Sequence, residues 1–407
     1  MGNKPVYIYV TPFFPSPGNW RGVYCLDAVK ALMRDGRYDV VVFKPGEDGD
    51  YEYQGVKVWT FKTRQLPSAI FPFLFRRQNQ RSFLKALDRA GIDCQDVAVC
   101  HGHTAPFSVY PLVVKSLNPR CLTLLHHHDL QSFGLNNGIL RHCWLYRLIE
   151  FPILRRWHER MDCHVFISEL VKKSFLSAPD ARWTDYRDYS GQMRGLFYRP
   201  VRIRHSIVSV NGVDGSVFRG EKRPCSDATR TSRPRHVYLT IGCIGNFVEL
   251  KDHLTLLKAV ERLSHIQIKL KFVGSGPLRT YCEQFVADHG LVVEFLNEVP
   301  HEQLADFYRS IDLFVLPSYF EGFGCVYAES WMCGTPFITT TGSGIVDMIP
   351  EGERNLWVCE PHNEEILARM IEHYFRTRPR QHLTQNIEIN SVVKRFLDEV
   401  EQLRGRV

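Results

Sequence analysis

The chain has 407 residues, of which 44% are hydrophobic and 23% are charged, ordinary fractions that exclude a disordered or fibrous protein. This length suggests two or three domains, and no apolar run approaches the roughly 18 residues of a membrane-spanning helix. The 12 cysteines are scattered without a C-x-x-C pair, which predicts reduced thiols rather than a disulfide framework or a zinc site. The first apolar run begins at Val6 and leaves no room for a signal peptide, so we expect a cytoplasmic protein.

The net charge of +7 is divided unevenly along the chain. Residues 1–212 hold 29 Lys and Arg against 18 Asp and Glu, whereas residues 213–407 hold 22 against 26. Such an excess of positive charge in one half predicts contact with an anionic surface or partner, although drift in surface composition produces the same numbers.

The first half alternates short apolar runs with amphipathic stretches. Residues 6–11 predict a buried strand, a Gly/Pro-rich loop follows, and apolar side chains from residue 23 to residue 33 share one helical face. Further strands are predicted at 40–43, 97–100, 121–125, 163–167 and 207–210. This rhythm predicts an α/β fold with a parallel, doubly wound sheet and helices on both faces.

The rhythm stops and then restarts in the second half. Residues 221–235 lack apolar periodicity and contain two prolines, which predicts a linker or long loop. Strands are then predicted at 237–244, 268–273, 292–295, 313–316 and 337–340. Helices are predicted at 254–263, 278–289, 301–310 and 325–332. We therefore predict two α/β domains, residues 1–212 and 213–390, and a C-terminal helix in residues 391–407 that can pack back on the first.

The segment that says most about function is residues 317–336. A predicted strand ends there at a glycine loop and a helix begins, so free N–H groups and the positive end of the helix dipole point toward the carboxyl edge of the sheet. That arrangement suits a phosphate or diphosphate. Glu321 lies on the loop and Glu329 about one turn into the helix, where carboxylates can accept hydrogen bonds from sugar hydroxyls.

This segment resembles the signature of the retaining nucleotide-sugar glycosyltransferases of family 4, E-G-F-G-x-x-x-x-E followed by a C-G-T-P turn. The resemblance extends over most of the C-terminal half, and the N-terminal half matches more weakly. Further matches are N-G-V-D at 211–214, V-G-x-G-P at 273–277 and G-I-V-D at 344–347. The resemblance implies the GT-B architecture, in which two doubly wound Rossmann-like domains face a central cleft.

The resemblance also implies roles for individual residues. Glu321 contacts the transferred sugar near the reaction centre, and Glu329 binds the nucleotide ribose. Backbone N–H groups that hold the donor come from three residues of the motif loop: Gly322, Phe323 and Gly324.

Four further positions match the donor site. Lys251 neutralises the diphosphate, and a fixed ammonium with helix-end N–H groups can replace a metal ion there. One departure is Asn246, which stands where the family usually has arginine and brings no charge. Gly18 and Gly22 lie in the loop after the first strand, which in this family closes over the diphosphate, although an ordinary Gly/Pro connection fits as well.

Three consecutive histidines follow the predicted strand at 121–125. The family places one histidine at this strand end, near the donor sugar, and we favour His128, with His127 and His126 as alternatives. A zinc site competes with this interpretation, but adjacent histidines in an extended chain point in alternating directions, so we predict no metal. His101 and His103 end the preceding strand and line the same crevice or are structural.

Residues 66–89 and 141–160 mix arginines with aromatic and aliphatic side chains. That composition suits a helix lying on anionic lipid, although a core face beside a solvated face fits equally. Nucleic acid is not expected as a partner, because no known binding module accompanies the basic residues.

The sequence therefore predicts a retaining glycosyltransferase that needs no cofactor or metal. The resemblance implies that it moves a sugar from a UDP- or GDP-sugar to a glycan or lipid-linked acceptor in polysaccharide, lipopolysaccharide or glycolipid synthesis, and we expect it in the cytoplasm or at the inner face of the plasma membrane. A sugar-nucleotide epimerase or hydrolase of the same fold, or a non-catalytic nucleotide-sugar-binding protein, is the alternative.

Overall fold

The structure, a computed structural model, describes residues 4–19, 21–47, 49–64, 73–128, 153–176, 201–220 and 238–406. The chain divides into two compact units, Met1–Gly212 with Ile389–Val407, and Val213–Glu388. The linker predicted at 221–235 lies outside the described residues. The chain thus passes between the units twice, after Gly212 and after Glu388.

The first unit is built on an eight-stranded sheet. Its strands are β1 (Val6–Val10), β2 (Asp39–Pro45), β3 (Tyr51–Tyr53), β4 (Val56–Phe61), β5 (Val97–His103), β6 (Leu122–His127), β7 (Cys163–Phe166) and β8 (His205–Val208). Their order is β3-β4-β2-β1-β5-β6-β7-β8, and every pairing is parallel except β3 with β4. The chain proceeds from β1 to one side and later, from β5, to the other. Sheets of this kind bind ligands at the carboxyl ends of the strands where the direction reverses.

Helices cover both faces of this sheet, as predicted. They are α1 (Val23–Asp35), α2 (Arg76–Arg89), α3 (Val109–Leu117) and α4 (Glu169–Leu176). One core packs α1 against alternate strand residues such as Tyr7 and Leu124. The other core packs α2 and α3 against the intervening residues, such as Ile8 and Cys100. Because both faces are buried, the central strands are apolar throughout, which is why they read as continuous apolar runs.

The second unit has a six-stranded, fully parallel sheet. Its strands are β9 (Tyr238–Ile244), β10 (Gln267–Val273), β11 (Val293–Leu296), β12 (Leu313–Val315), β13 (Phe337–Thr340) and β14 (Val358–Cys359). Its helices are α5 (His253–Glu261), α6 (Arg279–His289), α7 (Leu304–Arg309), α8 (Cys325–Met332), α9 (Arg354–Trp357) and α10 (Glu364–Thr377). The strand order is β11-β10-β9-β12-β13-β14, so the direction reverses between β9 and β12. The predicted doubly wound α/β fold is confirmed in both units.

The C-terminal helix α11 (Ile389–Arg404) belongs to the first unit and packs against α1. Its apolar stripe, which includes Phe396, Leu397 and Val400, is buried in the same core as α1. The Tyr38 hydroxyl donates a hydrogen bond to Glu401 near its end. No helix in the described part of the chain is long and apolar enough to cross a bilayer.

Candidate active site

The site lies where the strand direction of the second sheet reverses. Lys251 closes a 3₁₀ turn after β9, and Glu321 lies on the loop after β12. The Lys251 ammonium forms an ion pair with Oε1 of Glu321, and Ser318 donates a hydrogen bond to the same oxygen at 2.8 Å. The side chains of Lys251 and Glu321 are only 21% and 14% exposed, so the pair is largely shielded from water. The structure therefore brings together two residues that are 70 positions apart in the sequence.

The backbone around Glu321 is held on both sides. Its N–H donates to the Gly342 carbonyl at 3.0 Å, and its carbonyl accepts from the Gly344 N–H at 3.0 Å, so the loops after β12 and β13 pair across it. Gly342 permits this approach, because a Cβ there would lie 2.1 Å from the carbonyl oxygen of Tyr319. The carboxylate of Glu321 is thus presented by a rigid support.

Gly324 begins helix α8 in the left-handed region, with φ of 88°. A Cβ at this position would lie 2.4 Å from the Tyr327 ring, whose hydroxyl donates to the Leu316 carbonyl at 2.7 Å. No side chain caps this helix start, and its first turn contains no acidic residue. The positive end of its helix dipole therefore favours a bound anion. Of the other loop residues, Phe323 is buried and Gly322 is half-buried.

Glu329 is buried, with 7% exposure, one turn into α8. The Tyr308 hydroxyl donates to its Oε2 at 2.8 Å, and Nε2 of His301 lies 3.3 Å from its Oε1. Burial, and secondarily the neighbouring carboxylate, raise the pKa of Tyr308, so this hydroxyl remains a donor. The carboxylate is thus fixed by neighbours rather than solvated, which differs from the ordinary state of a lone surface glutamate. The sequence motif gave no signal for the side chains that hold its two glutamates: Tyr308 and His301 contact Glu329, and Ser318 contacts Glu321.

Asn246 lies on the loop after β9 and is exposed. This loop packs tightly against the loop after β10, since a Cβ at Gly274 would lie 2.2 Å from the Gly245 carbonyl oxygen. The nearby Arg279 binds backbone carbonyls, including that of Gly274 at 3.0 Å, and forms an ion pair with Glu283. The guanidinium of Arg279 is therefore engaged in holding this edge of the sheet and does not replace the arginine absent at position 246.

In the first unit, Gly18 and Gly22 both lie in the loop after β1, with φ of 79° and 90°. A Cβ at Gly22 would lie 2.4 Å from the Phe13 carbonyl oxygen, whereas the space around Gly18 is open. Gly22 also starts α1, whose first N–H groups carry no side-chain cap. Close packing therefore requires a glycine at position 22 but not at position 18.

The three consecutive histidines do not share a face of the sheet. The parallel register pairs His103 with His126, which places His126 and His128 on one face and His127 on the other. His127 is 1% exposed, and its Nε2 lies 2.9 Å from Nδ1 of His164. Burial lowers the pKa of His128 to about 4, so its imidazole is neutral near pH 7. A ligand on one face can contact His126 and His128 but not His127.

Two doubly wound units, the second carrying a largely shielded Lys–Glu pair and an uncapped helix start at the reversal of its sheet, have the fold and the kind of site expected of a GT-B glycosyltransferase. The family model for group 1 glycosyl transferases matches residues 230–388, and the model for glycosyltransferase family 4 matches residues 22–182. The chain belongs to the group 1, or family 4, glycosyltransferases.

Curated relatives match mainly over a part of their length. A D-inositol 3-phosphate glycosyltransferase of Corynebacterium urealyticum is 33% identical over 261 residues, which is 56% of this chain and 61% of the relative. The enzyme of the same name from Paenarthrobacter aurescens is 31% identical over 38% of this chain and 40% of its own length. A putative teichuronic acid biosynthesis glycosyltransferase of Bacillus subtilis is 32% identical over 32% of this chain and 31% of its length. The chain spans between 31% and 61% of the length of these relatives.

Solved structures resemble the whole chain at low identity. The catalytic domain of starch synthase IV from Arabidopsis thaliana, bound to ADP and acarbose, has a TM-score of 0.65 at 14% identity and covers 99% of both chains. A glycosyltransferase from Rickettsia africae has a TM-score of 0.64 at 16% identity, with 99% of both chains covered. The Anabaena protein HepE, in complex with UDP and glucose, has a TM-score of 0.62 at 14% identity and covers 98% of this chain and 100% of HepE. At these identities the likeness establishes the fold alone.

Proposed function

We propose that the protein transfers a sugar from a nucleotide diphosphate sugar to an acceptor hydroxyl with retention of the anomeric configuration. The observation that carries this proposal is the enclosed pair of Lys251 and Glu321 beside the uncapped start of α8. A cation, a carboxylate and the positive end of a helix dipole are the parts needed to hold a diphosphate and a sugar at one place.

In the proposed reaction the bond between the anomeric carbon and the diphosphate oxygen breaks, and the acceptor oxygen bonds to the same face of that carbon. The acceptor proton passes to a diphosphate oxygen, so charge and atoms balance. Lys251 and the N–H groups at the start of α8 stabilise the negative charge that the departing diphosphate gains. No metal ion is required for that role.

The surroundings of Glu321 favour attack from the front face. An oxygen of its carboxylate is held by Lys251 and Ser318, an arrangement that suits orientation of sugar hydroxyls more than attack on carbon. Glu329, fixed by Tyr308, is proposed to bind the ribose. The resemblance also assigns His128, or His127, to the donor sugar and Gly18 and Gly22 to the loop over the diphosphate.

The donor is proposed to be a UDP- or GDP-sugar, and the acceptor a glycan or lipid-linked molecule in polysaccharide, lipopolysaccharide or glycolipid synthesis. HepE was solved with UDP and glucose, a trehalose-6-phosphate protein from E. coli with UDP-2-fluoro glucose and starch synthase IV with ADP, which supports a nucleoside diphosphate donor without selecting its base. The named relatives act on inositol phosphate or in teichuronic acid synthesis, which supports an acceptor that carries or precedes anionic groups.

We further propose that the first unit rests on the anionic inner face of the plasma membrane. A surface groove of about 850 Å³ combines Phe73 and Leu74 with the exposed Arg76, Arg77 and Arg81 at the start of α2. Arginines beside exposed apolar side chains suit a surface of anionic lipid headgroups. The rest of the predicted interfacial stretches, residues 66–72 and 141–152, lies outside the described residues.

Glu321→Ala tests the catalytic assignment. Transfer from UDP- and GDP-sugars is expected to fall at least about 100-fold, the scale of losing a group that acts at the transition state, while the melting temperature stays near that of the wild type. Glu249→Ala changes an exposed glutamate in the same 3₁₀ turn as Lys251; it serves as the matched control and should retain activity. Full activity of Glu321→Ala would refute the assignment. Rapid epimerisation or hydrolysis by the wild type without acceptor would favour the sugar-nucleotide epimerase or hydrolase instead.

A further inference from the structure

Three buried histidines of the first unit converge on one face of its sheet. His101 and His103 alternate along β5, and the register of β5 with β6 sets His126 beside His103. Each ring offers a nitrogen, and the three nitrogens lie within 4.8 Å of one another. The ring centroids of His101 and His103 are 4.4 Å apart, and those of His103 and His126 are 4.9 Å apart. Parallel pairing thus gathers side chains that are up to 25 residues apart.

The hydrogen bonds of these rings leave a set of nitrogens without partners. Nδ1 of His101 lies 2.7 Å from the Tyr7 hydroxyl, and Nδ1 of His103 lies 2.8 Å from Nε2 of His128. Among the described residues, no partner is found for Nε2 of His101, Nε2 of His103 or either nitrogen of His126. Buried polar atoms are rarely left in this state, so the cluster is incomplete as protein alone.

These contacts have the form found around metal-bound histidines. A ligating imidazole usually donates its ring N–H in a hydrogen bond to an oxygen or another acceptor. This hydrogen bond fixes the tautomer and leaves the other nitrogen with a free lone pair for the metal. The Tyr7 hydroxyl oxygen can accept such a hydrogen bond from Nδ1–H of His101, and Nε2 of His128 can accept one from Nδ1–H of His103. Burial lowers the pKa of His101 to about 3 and those of His103 and His126 well below the usual value, so the rings are neutral near pH 7. The neutral ring is the form that binds metal.

The cluster also borders a pocket. A cavity of about 50 Å³ lies between the histidine face of the sheet and the helices α1 and α11. Tyr9 packs on His103 with the ring centroids 4.1 Å apart, and Phe396 stacks on His101 at 5.8 Å. That volume is enough for an ion and a water molecule.

We propose that His101, His103 and His126 bind one transition-metal ion of the kind that prefers imidazole ligands, such as Zn²⁺. Zinc–nitrogen bonds of about 2.0–2.1 Å require nitrogens roughly 3.3 Å apart, so each ring must move by under about 1 Å. His128 positions His103 without binding the ion, and the cavity leaves room for water as a further ligand. All three proposed ligands belong to the first unit, whereas Lys251 and Glu321 belong to the second.

A second group of buried histidines provides the matched contrast. His164 lies on the opposite face of the same sheet, with Nδ1 at 2.9 Å from His127 and Nε2 at 3.0 Å from the His158 carbonyl. Both nitrogens of His164 are therefore satisfied by the protein. Both nitrogens of His126, by contrast, lack a partner among the described residues, so His164 is the matched control for His126.

The test uses untagged full-length protein treated with chelator and then given stoichiometric ZnCl₂ or CoCl₂. Elemental analysis after desalting is expected to find about one ion per chain, and Co²⁺ should show the visible bands of a nitrogen-ligated ion. His126→Leu should lose the ion, whereas His164→Leu should keep it. An apolar residue at position 126 removes unpaired polar atoms, so we expect that variant to fold, as circular dichroism would verify.

X-ray absorption at the zinc edge of the wild-type protein gives a second measurement that needs no variant. Imidazole nitrogens near 2.0–2.1 Å are expected, and sulfur near 2.3 Å would place the ion on cysteines and overturn the proposal. Failure to retain an ion, retention by His126→Leu, or loss from His164→Leu would also overturn it.

Discussion

At the residue scale, the ion pair of Lys251 and Glu321 makes donor binding a competition. A nucleoside diphosphate must draw the Lys251 ammonium away from the Glu321 carboxylate. Lys251→Ala is therefore expected to weaken binding of the nucleoside diphosphate by roughly 10- to 100-fold. A hydrogen bond to a charged group contributes about 1.5–3 kcal/mol, which corresponds to a loss of affinity on this scale. Glu321→Gln is expected to tighten that binding several-fold while transfer is lost. Calorimetric titration measures both, and weaker binding by Glu321→Gln would contradict the competition.

A second prediction at this scale concerns acid stability. His253 is buried at the start of α5, stacked on Phe247 at 4.1 Å, and burial together with the Lys251 charge lowers its pKa to about 4. An unfolded histidine titrates near 6.5, so between pH 6.5 and about 4 the unfolded state holds the extra proton. His253 should therefore reduce the free energy of unfolding by about 1.4 kcal/mol per pH unit as pH falls through that window, with no effect above it.

Hydrogen exchange of β9 and β10 in urea, measured at several pH values, checks this slope. In His253→Phe the free energy of unfolding should depend less steeply on pH, because one proton fewer is taken up on unfolding. His373→Phe is the control, because His373 is exposed on α10 and stays in water in both states. An unchanged slope in His253→Phe would show that another group carries the acid sensitivity.

The motif residues could be named from the sequence because their pattern is local. Glu321, Gly324 and Glu329 lie within nine positions of one strand–loop–helix segment. The supports of these residues come from elsewhere: Tyr308 reaches Glu329 from α7, which no spacing within the motif encodes. The convergence of His101 with His126 depends in the same way on the register of two parallel strands, which the sequence alone does not specify.

At the element scale, helix α8 offers a matched pair of glycines. Gly324 before it and Gly334 after it both have positive φ, 88° and 81°, but only a Cβ at Gly324 meets another side chain. Gly334→Ala is expected to cost about 1–2 kcal/mol of stability for the left-handed backbone. Gly324→Ala should cost a further 1–3 kcal/mol from the clash with Tyr327, and it should also weaken nucleotide binding. Urea unfolding and nucleotide titration measure these, and equal losses would show that the clash is relieved.

The elements whose bounds the sequence predicts best are those flanked by residues that terminate helices and strands, such as glycine and proline. The predicted ranges 325–332 and 337–340 are those of α8 and β13, which a glycine loop and a C-G-T-P turn delimit. The helix predicted at 301–310 begins as α helix only at Leu304, because a 3₁₀ turn follows Pro300. Helix α10 is not among the helices predicted from the sequence, although Asn363 caps its start by accepting a hydrogen bond from the Ile366 N–H at 2.9 Å. Strand β14 has two residues, too few for any periodicity.

At the scale of the whole molecule, sequence order and unit membership differ. Helix α11 follows the second unit along the chain, but it completes the core of the first, and its return point Ile389 lies against Gly212. A Cβ at Gly212 would lie 2.6 Å from the Ile389 Cα, so the outgoing and returning segments touch. The amphipathic pattern predicts such a helix but does not say which core it enters, because both units present apolar surface.

The uneven charge acquires a testable meaning at this scale. Arg76 and Arg77 are exposed beside the apolar side chains that open α2. Each arginine near an anionic leaflet contributes about 1 kcal/mol, so Arg76→Gln with Arg77→Gln should weaken binding to phosphatidylserine vesicles by roughly 30-fold at low salt. The control changes Arg369 and Arg376, exposed on α10 of the second unit, and should bind like the wild type. Vesicle sedimentation tests the proposed membrane contact. If the wild type stays in the supernatant, or if both double variants lose binding equally, the excess of basic residues in 1–212 reflects surface composition alone.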